Sequence, residues 1–266
     1  MKKCSLLVVF LFLISNGQAQ EEHFERVFDS IIQEADLLYR YEKAVWNSTD
    51  RLMADKKLKK DYGGYVVHHS GDTVSVCYMT KDLKQRLALY SYKGSNLTNP
   101  FEITTQKSEL TPIEQELINI KIKILNQLSN PDYQIGFPDG FNPNFVLIKD
   151  KSSYKLYIIM GTSKSGVIPF GNDYLFTTDA DGTIVNWKKF HSRMIPAESK
   201  GPNGEKVISA IHSHLKTTPH ITATDICTFR LYGELCGMDE FKVLCTATKY
   251  YYTYNRITNS IVAEKM

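Results

Sequence analysis

A chain of 266 residues, 42% of them hydrophobic, carries enough apolar material for a sizeable core in one or two domains, which excludes a mainly disordered protein. Its 32 Lys and Arg against 29 Asp and Glu give a formal charge of +3, and the run Lys56 to Lys60 is short and interrupted by Leu58. Dedicated binding to nucleic acid or to a membrane surface is therefore not expected.

Lys2 and Lys3 precede the apolar run Leu6 to Ile14, and Gly17-Gln18-Ala19 closes it with small residues. This pattern predicts a cleaved secretory signal over residues 1–19 and export by a bacterium to the periplasm or beyond. The run is too short to span a bilayer, so no stable membrane insertion is expected after cleavage. Loss of the leader leaves 30 basic and 29 acidic residues, close to neutrality. Four cysteines remain, Cys77, Cys227, Cys236 and Cys245, with no C-x-x-C pair. A cysteine zinc site is thereby disfavoured, and buried free thiols or one bridge among the last three are expected.

From His23 to Tyr41, apolar residues recur every three or four positions and predict an amphipathic helix. The period then changes. Tyr65 to His68, Val74 to Met79 and Leu87 to Tyr92, separated by turn residues, predict an antiparallel meander. His68 and His69 are neighbours on a strand and face opposite sides, so they do not grip one metal together. At Thr111 a helix start is announced by Pro112 at the first helical position and Glu114 three residues after the cap. Asn130-Pro131-Asp132 stops this helix, and the Gly-, Pro- and Asn-rich segment from Gly136 to Asn144 marks a junction.

Beyond the junction, strands are expected at Phe145 to Ile148, Tyr154 to Met160, Tyr174 to Thr177, Thr183 to Trp187 and Val207 to Ile211. A helix follows from Thr222 to Leu235, and strands at Phe241 to Ala247, Tyr250 to Tyr254 and Ile261 to Ala263 close the chain. Asp179-Ala180-Asp181-Gly182 reads as a tight hairpin turn rather than a calcium loop. The expected class is α+β: a leader over 1–19, a helix-plus-meander module over 20–135, and a mixed sheet with a flanking helix over 136–266.

The residues that carry chemistry lie in Ile211-His212-Ser213-His214 and Thr222-Ala223-Thr224-Asp225. Alternate residues of a strand share a face, so His212 and His214 project together, and Asp225 in the first turn of the next helix can face them. Two imidazoles and a carboxylate with a fourth position open to water suit catalytic zinc. Asp225 three residues after Thr222 is equally a helix-capping pair. His191 and His220 are further histidines that could approach.

His212-x-His214, the seven residues Leu215 to Ile221, Thr222, two residues and Asp225 resemble the signature of the JAMM (MPN-domain) zinc metallopeptidases, with Thr222 in place of the family's Ser. The resemblance covers roughly Val167 to the C-terminus. It implies zinc on His212, His214 and Asp225, an oxyanion-holding hydroxyl at Thr222, and hydrolysis of an amide bond in a polypeptide or cell-wall peptide. Two positions depart from the family: Leu215 replaces a Pro, and the glutamate that serves as general base is missing where Gly171 and Asn172 stand. Asp173 is the nearest carboxylate and the candidate base. The alternative is a JAMM-like binding module without a general base, and hence without catalysis.

Overall fold

The chain, seen in a computed structural model that describes the backbone of residues 4–266 and the side chains from residue 24 on, starts with one long helix. Helix α1 spans Cys4–Ala54, well past the predicted Tyr41. No Gly or Pro interrupts the sequence between Glu21 and Ala54. Its buried stripe continues through Ala35, Leu38, Tyr41, Ala44, Ser48 and Leu52 at three- and four-residue steps. The predicted leader over 1–19 lies outside the residues described with side chains. Among the described residues, no helix is long and apolar enough to cross a membrane.

A short helix α2 (Lys56–Asp61), capped by the Asp55 carboxylate, leads into the meander of β1 (Tyr62–Ser70), β2 (Thr73–Thr80) and β3 (Gln85–Lys93). Two short edge strands, β4 (Glu102–Thr104) and β5 (Ser108–Glu109), both pair with β3. Helix α3 (Pro112–Gln127) begins as the sequence predicts: Thr111 and Glu114 form a reciprocal capping box.

The second half contains three sheets. Strands β6 (Asn142–Asp150), β7 (Ser153–Gly161), β9 (Tyr174–Thr178) and β10 (Ile184–Lys189) form an antiparallel sheet in the order β10-β9-β7-β6. Strands β8 (Val167–Gly171) and β11 (Met194–Glu198) form a separate ribbon in which Pro169 faces Pro196. Strand β12 (Ser209–His214) lies parallel to β13 (Glu240–Cys245), which continues antiparallel to β14 (Tyr250–Asn255) and β15 (Ser260–Lys265). The crossover between β12 and β13 is helix α4 (Ala223–Cys236), buried over most of its surface because it packs between α1 and β8.

The architecture is α+β. The sheets segregate on either side of residue 136, whereas the hydrophobic cores do not. One core joins Leu38 and Ala44 of α1 to Phe229, Phe241 and Tyr254, and the other joins Leu117 and Ile124 of α3 to Leu156 and Phe176. Burial of such large side chains against α1 fixes the late sheet, with β12 at its edge and the N-terminus of α4 beside it.

Two smaller expectations meet their physical outcome here. Asp179 Oδ1 accepts the backbone N–H groups of Asp181 at 3.0 Å and Thr183 at 2.9 Å, so this carboxylate serves its turn. Cys77, Cys227, Cys236 and Cys245 are buried free thiols.

Candidate metal centre

Strand β12 alternates in an inverted sense. Ala210, His212 and His214 point inward and are buried, whereas Ile211 points outward and is 61% exposed. A strand that shows its isoleucine to solvent and buries its histidines does not follow core economy, and an unusual buried polar set calls for a chemical reason. The ring of His212 is wedged between Phe170, 5.0 Å away, and Phe241, 6.0 Å away and nearly parallel. Nδ1 of His214 donates to the His220 carbonyl at 2.7 Å, which leaves its Nε2 lone pair facing inward.

Asp225 completes the expected trio and divides its two oxygens between two tasks. Oδ2 accepts the Thr222 backbone N–H at 3.0 Å and the Thr222 hydroxyl at 2.6 Å, while Thr222 Oγ1 accepts the Asp225 N–H at 3.1 Å. The capping pair is therefore real, and the Thr222 hydroxyl is engaged in it. Oδ1 is buried and has no well-directed hydrogen bond, although Nε2 of His212 lies 3.2 Å away and Nε2 of His191 3.4 Å away. An unpartnered carboxylate oxygen amid imidazole lone pairs costs about 1–3 kcal/mol unless a cation or proton occupies the space between them.

His191, which follows β10, supplies a fourth donor. Its Nε2 lies 2.7 Å from Nε2 of His214, which in turn lies 3.1 Å from Nε2 of His212. Its Nδ1 donates to Asp173 Oδ1 at 2.6 Å. The second oxygen of Asp173 accepts the hydroxyl of Thr224. Asp173 thus stands behind His191 with both oxygens occupied, at a remove from the donor atoms.

The electrostatics follow from burial. His191, His212, His214 and Asp225 are 3%, 7%, 5% and 1% exposed. Burial alone would push the Asp225 carboxyl up, but the three histidines around it hold it well below the usual carboxylate range. Burial would also depress His191, yet Asp173 and Asp225 outweigh it and raise the imidazole to about 9.

The donor atoms of His191, His212, His214 and Asp225 all lie within 4.8 Å of one another, so this buried group could hold a metal ion. The fit is chemical as well as spatial. Three imidazole nitrogens, neutral once a metal displaces the His191 proton, and one carboxylate are a borderline-soft set, and donors roughly 2.0–2.1 Å from a tetrahedral ion stand roughly 3.3–3.4 Å apart. Nε2–Nε2 contacts of 2.7 and 3.1 Å and contacts of 3.2 and 3.4 Å to Asp225 Oδ1 lie on either side of that spacing.

A cavity of about 590 Å³ lies between α1 and the loop that joins β12 to α4. Thr218 to Ala223 form one wall and Val27, Ile31 and Phe190 part of the rest, while none of the four donors and not Asp173 line it. His220 of this wall is held by edge contacts with Phe24 and Tyr252.

The spacing from His212 to Asp225 brings three of the predicted residues together, and the structure sets His191 beside them as a fourth. No protein-family model, curated protein or solved structure matches the chain. Fold and site define an α+β protein with a buried His-Asp centre able to hold a metal ion.

Proposed function

We propose that this is an exported JAMM-like module that holds one zinc ion on His191, His212, His214 and Asp225 and uses it to fix a binding surface, without hydrolysing amide bonds. The carrying observation is the fourth donor: Nε2 of His191, 2.7 Å from Nε2 of His214 and set in place by Asp173. Four protein donors are typical of structural zinc sites, whereas catalytic sites keep one position for water or substrate. Three imidazoles disfavour magnesium and calcium, which take oxygen ligands.

When bound, zinc supplies a compact divalent charge that draws the three imidazoles and the carboxylate together. The remaining work belongs to the chain. Asp173 orients His191, the His220 carbonyl orients His214, Phe170 and Phe241 hold the His212 ring, and Thr222 ties Asp225 to the end of α4. Both Asp173 oxygens already accept a hydrogen bond, from His191 and Thr224, which suits Asp173 to positioning rather than to proton transfer.

A second reading, a zinc-dependent peptidase or isopeptidase, draws on the cavity against Thr218 to Ala223, which offers a polypeptide a place next to the donor loop. Zinc-loaded protein incubated with peptide, isopeptide and cell-wall peptide substrates separates the two. Bound zinc with no turnover above that of the His212→Ala variant supports the binding module. Turnover that His212→Ala abolishes supports the peptidase.

A further inference from the structure

Away from the metal centre, a second cavity of about 370 Å³ opens at the seam between α1, the start of β6, the end of β7 and α4. Its polar lining includes Glu42, Asn142, Asn144 and Ser163, with Asp50 on the α1 side, and its aromatic lining is Trp46 and Tyr232. The two rings stand 5.3 Å apart at 48°. Glu42 is 5% exposed and shares this lining with Asn144.

The local construction keeps this space open. A Cβ at Gly161 would lie 3.1 Å from Nδ2 of Asn144 and 3.3 Å from the Tyr232 hydroxyl, so any other residue there displaces the two side chains that shape the floor. The Tyr232 hydroxyl accepts the Thr162 backbone N–H at 3.1 Å, which fixes the ring against the rim. Lys121 of α3, 8% exposed, donates its ammonium to the Tyr65 carbonyl at 3.1 Å and sits 4.1 Å from the centre of the Tyr65 ring. Burial raises the Glu42 carboxyl to about 7 against the pull of the Lys121 charge, so this floor group can both donate and accept hydrogen bonds with little net charge.

We propose that this cavity binds a neutral saccharide. Vicinal hydroxyls, each both donor and acceptor, match a planar carboxyl flanked by planar amides, and the C–H face of a sugar ring matches an aromatic wall. A cationic ligand would gain little from a carboxyl that burial leaves largely uncharged, and an apolar one would strip water from Asn142 and Asn144 without replacing it. The volume suits one or two sugar rings. Neither the metal nor its donors take part, so the proposal stands independently of the zinc reading.

The test is saturation-transfer NMR and calorimetry on the full chain with glucose, galactose, N-acetylglucosamine and cellobiose. Saturable binding of at least one is expected, with about ten-fold weaker affinity in Asn142→Ala, the loss of one well-placed hydrogen bond. Weaker affinity is expected in Trp46→Ala as well, and unchanged affinity in Val185→Ser on β10. Because Asn142 is exposed at the start of β6, its variant keeps the fold. Absence of saturable binding to all four sugars by folded protein overturns the proposal. So does binding that Asn142→Ala and Trp46→Ala leave unchanged, or saturation by tetramethylammonium but by none of the sugars.

Discussion

Oδ1 of Asp173 lies 2.6 Å from Nδ1 of His191, and through that contact the turn between β8 and β9 decides which nitrogen of a distant histidine faces the centre. With Asp173 holding the proton on Nδ1, Nε2 is the nitrogen that turns to a metal once its own proton is displaced. Thr224, two residues after the α4 cap, holds the other Asp173 oxygen, so the arrangement closes on itself from β8 through β10 to α4.

Asp173→Asn is the cleanest probe of this arrangement, because it preserves size while weakening the orientation of His191. Zinc affinity is expected to fall about 10–100-fold with the fold intact. Competition against a chromophoric chelator reads the affinity, and circular dichroism reads the fold. An unchanged affinity would mean that His191 is not a donor.

Thr222→Val removes the hydroxyl that caps α4 and also binds Asp225. The expected cost is about 1–2 kcal/mol in metal-free protein, measured by urea unfolding. Thr222→Ser is expected to recover most of it, since it keeps the oxygen. A Val variant as stable as wild type would show that the capping box contributes nothing measurable.

How far the sequence reached depends on what each residue answers to. His212, His214 and Asp225 were legible because a strand alternates with period two and a helix cap follows at a fixed distance. His191 has no spacing relation to them. It enters from the turn after β10, and its role depends on a carboxylate in another turn, which only tertiary structure reveals. Strands β8 and β11 escaped for a local reason: Pro169 and Pro196 argue against a central strand, yet they are tolerated in a two-stranded ribbon whose outer edges need no donors. The end of α1 was missed because its later turns mix buried Ala44 and Ser48 with polar neighbours, while the helix cap lay at Asp55, where α2 starts.

Glu114 provides a pH-dependent prediction far from the metal. Burial alone would raise its carboxyl, but His68, the Thr111 amide and Arg86 lower it to about 2. A carboxylate depressed in the folded state adds stability above its unfolded value, and that stability is lost as pH falls toward 2. Glu114→Gln is therefore expected to cost about 1–3 kcal/mol at neutral pH, with the gap to wild type shrinking between pH 4 and 2. Denaturant titrations at pH 7 and pH 3 measure it. An equal gap at both pH values would contradict the ion-pair account.

Phe229 is fully buried and touches the rings of Phe241, 4.8 Å away, and Phe170, 6.4 Å away, the same two that wedge His212. Phe229→Ala is expected to destabilise by about 3–5 kcal/mol and to loosen His212. Thermal unfolding with and without zinc checks both, since a loosened site gains less from saturating metal than wild type does.

The most direct test is the zinc content of purified chain after dialysis, for wild type and for His191→Ala, His212→Ala and Asp225→Ala. One zinc per wild-type chain is expected, with each replacement lowering occupancy and His191→Ala doing so as clearly as the other two. Wild type free of any transition metal would contradict the account, and so would full occupancy in His191→Ala.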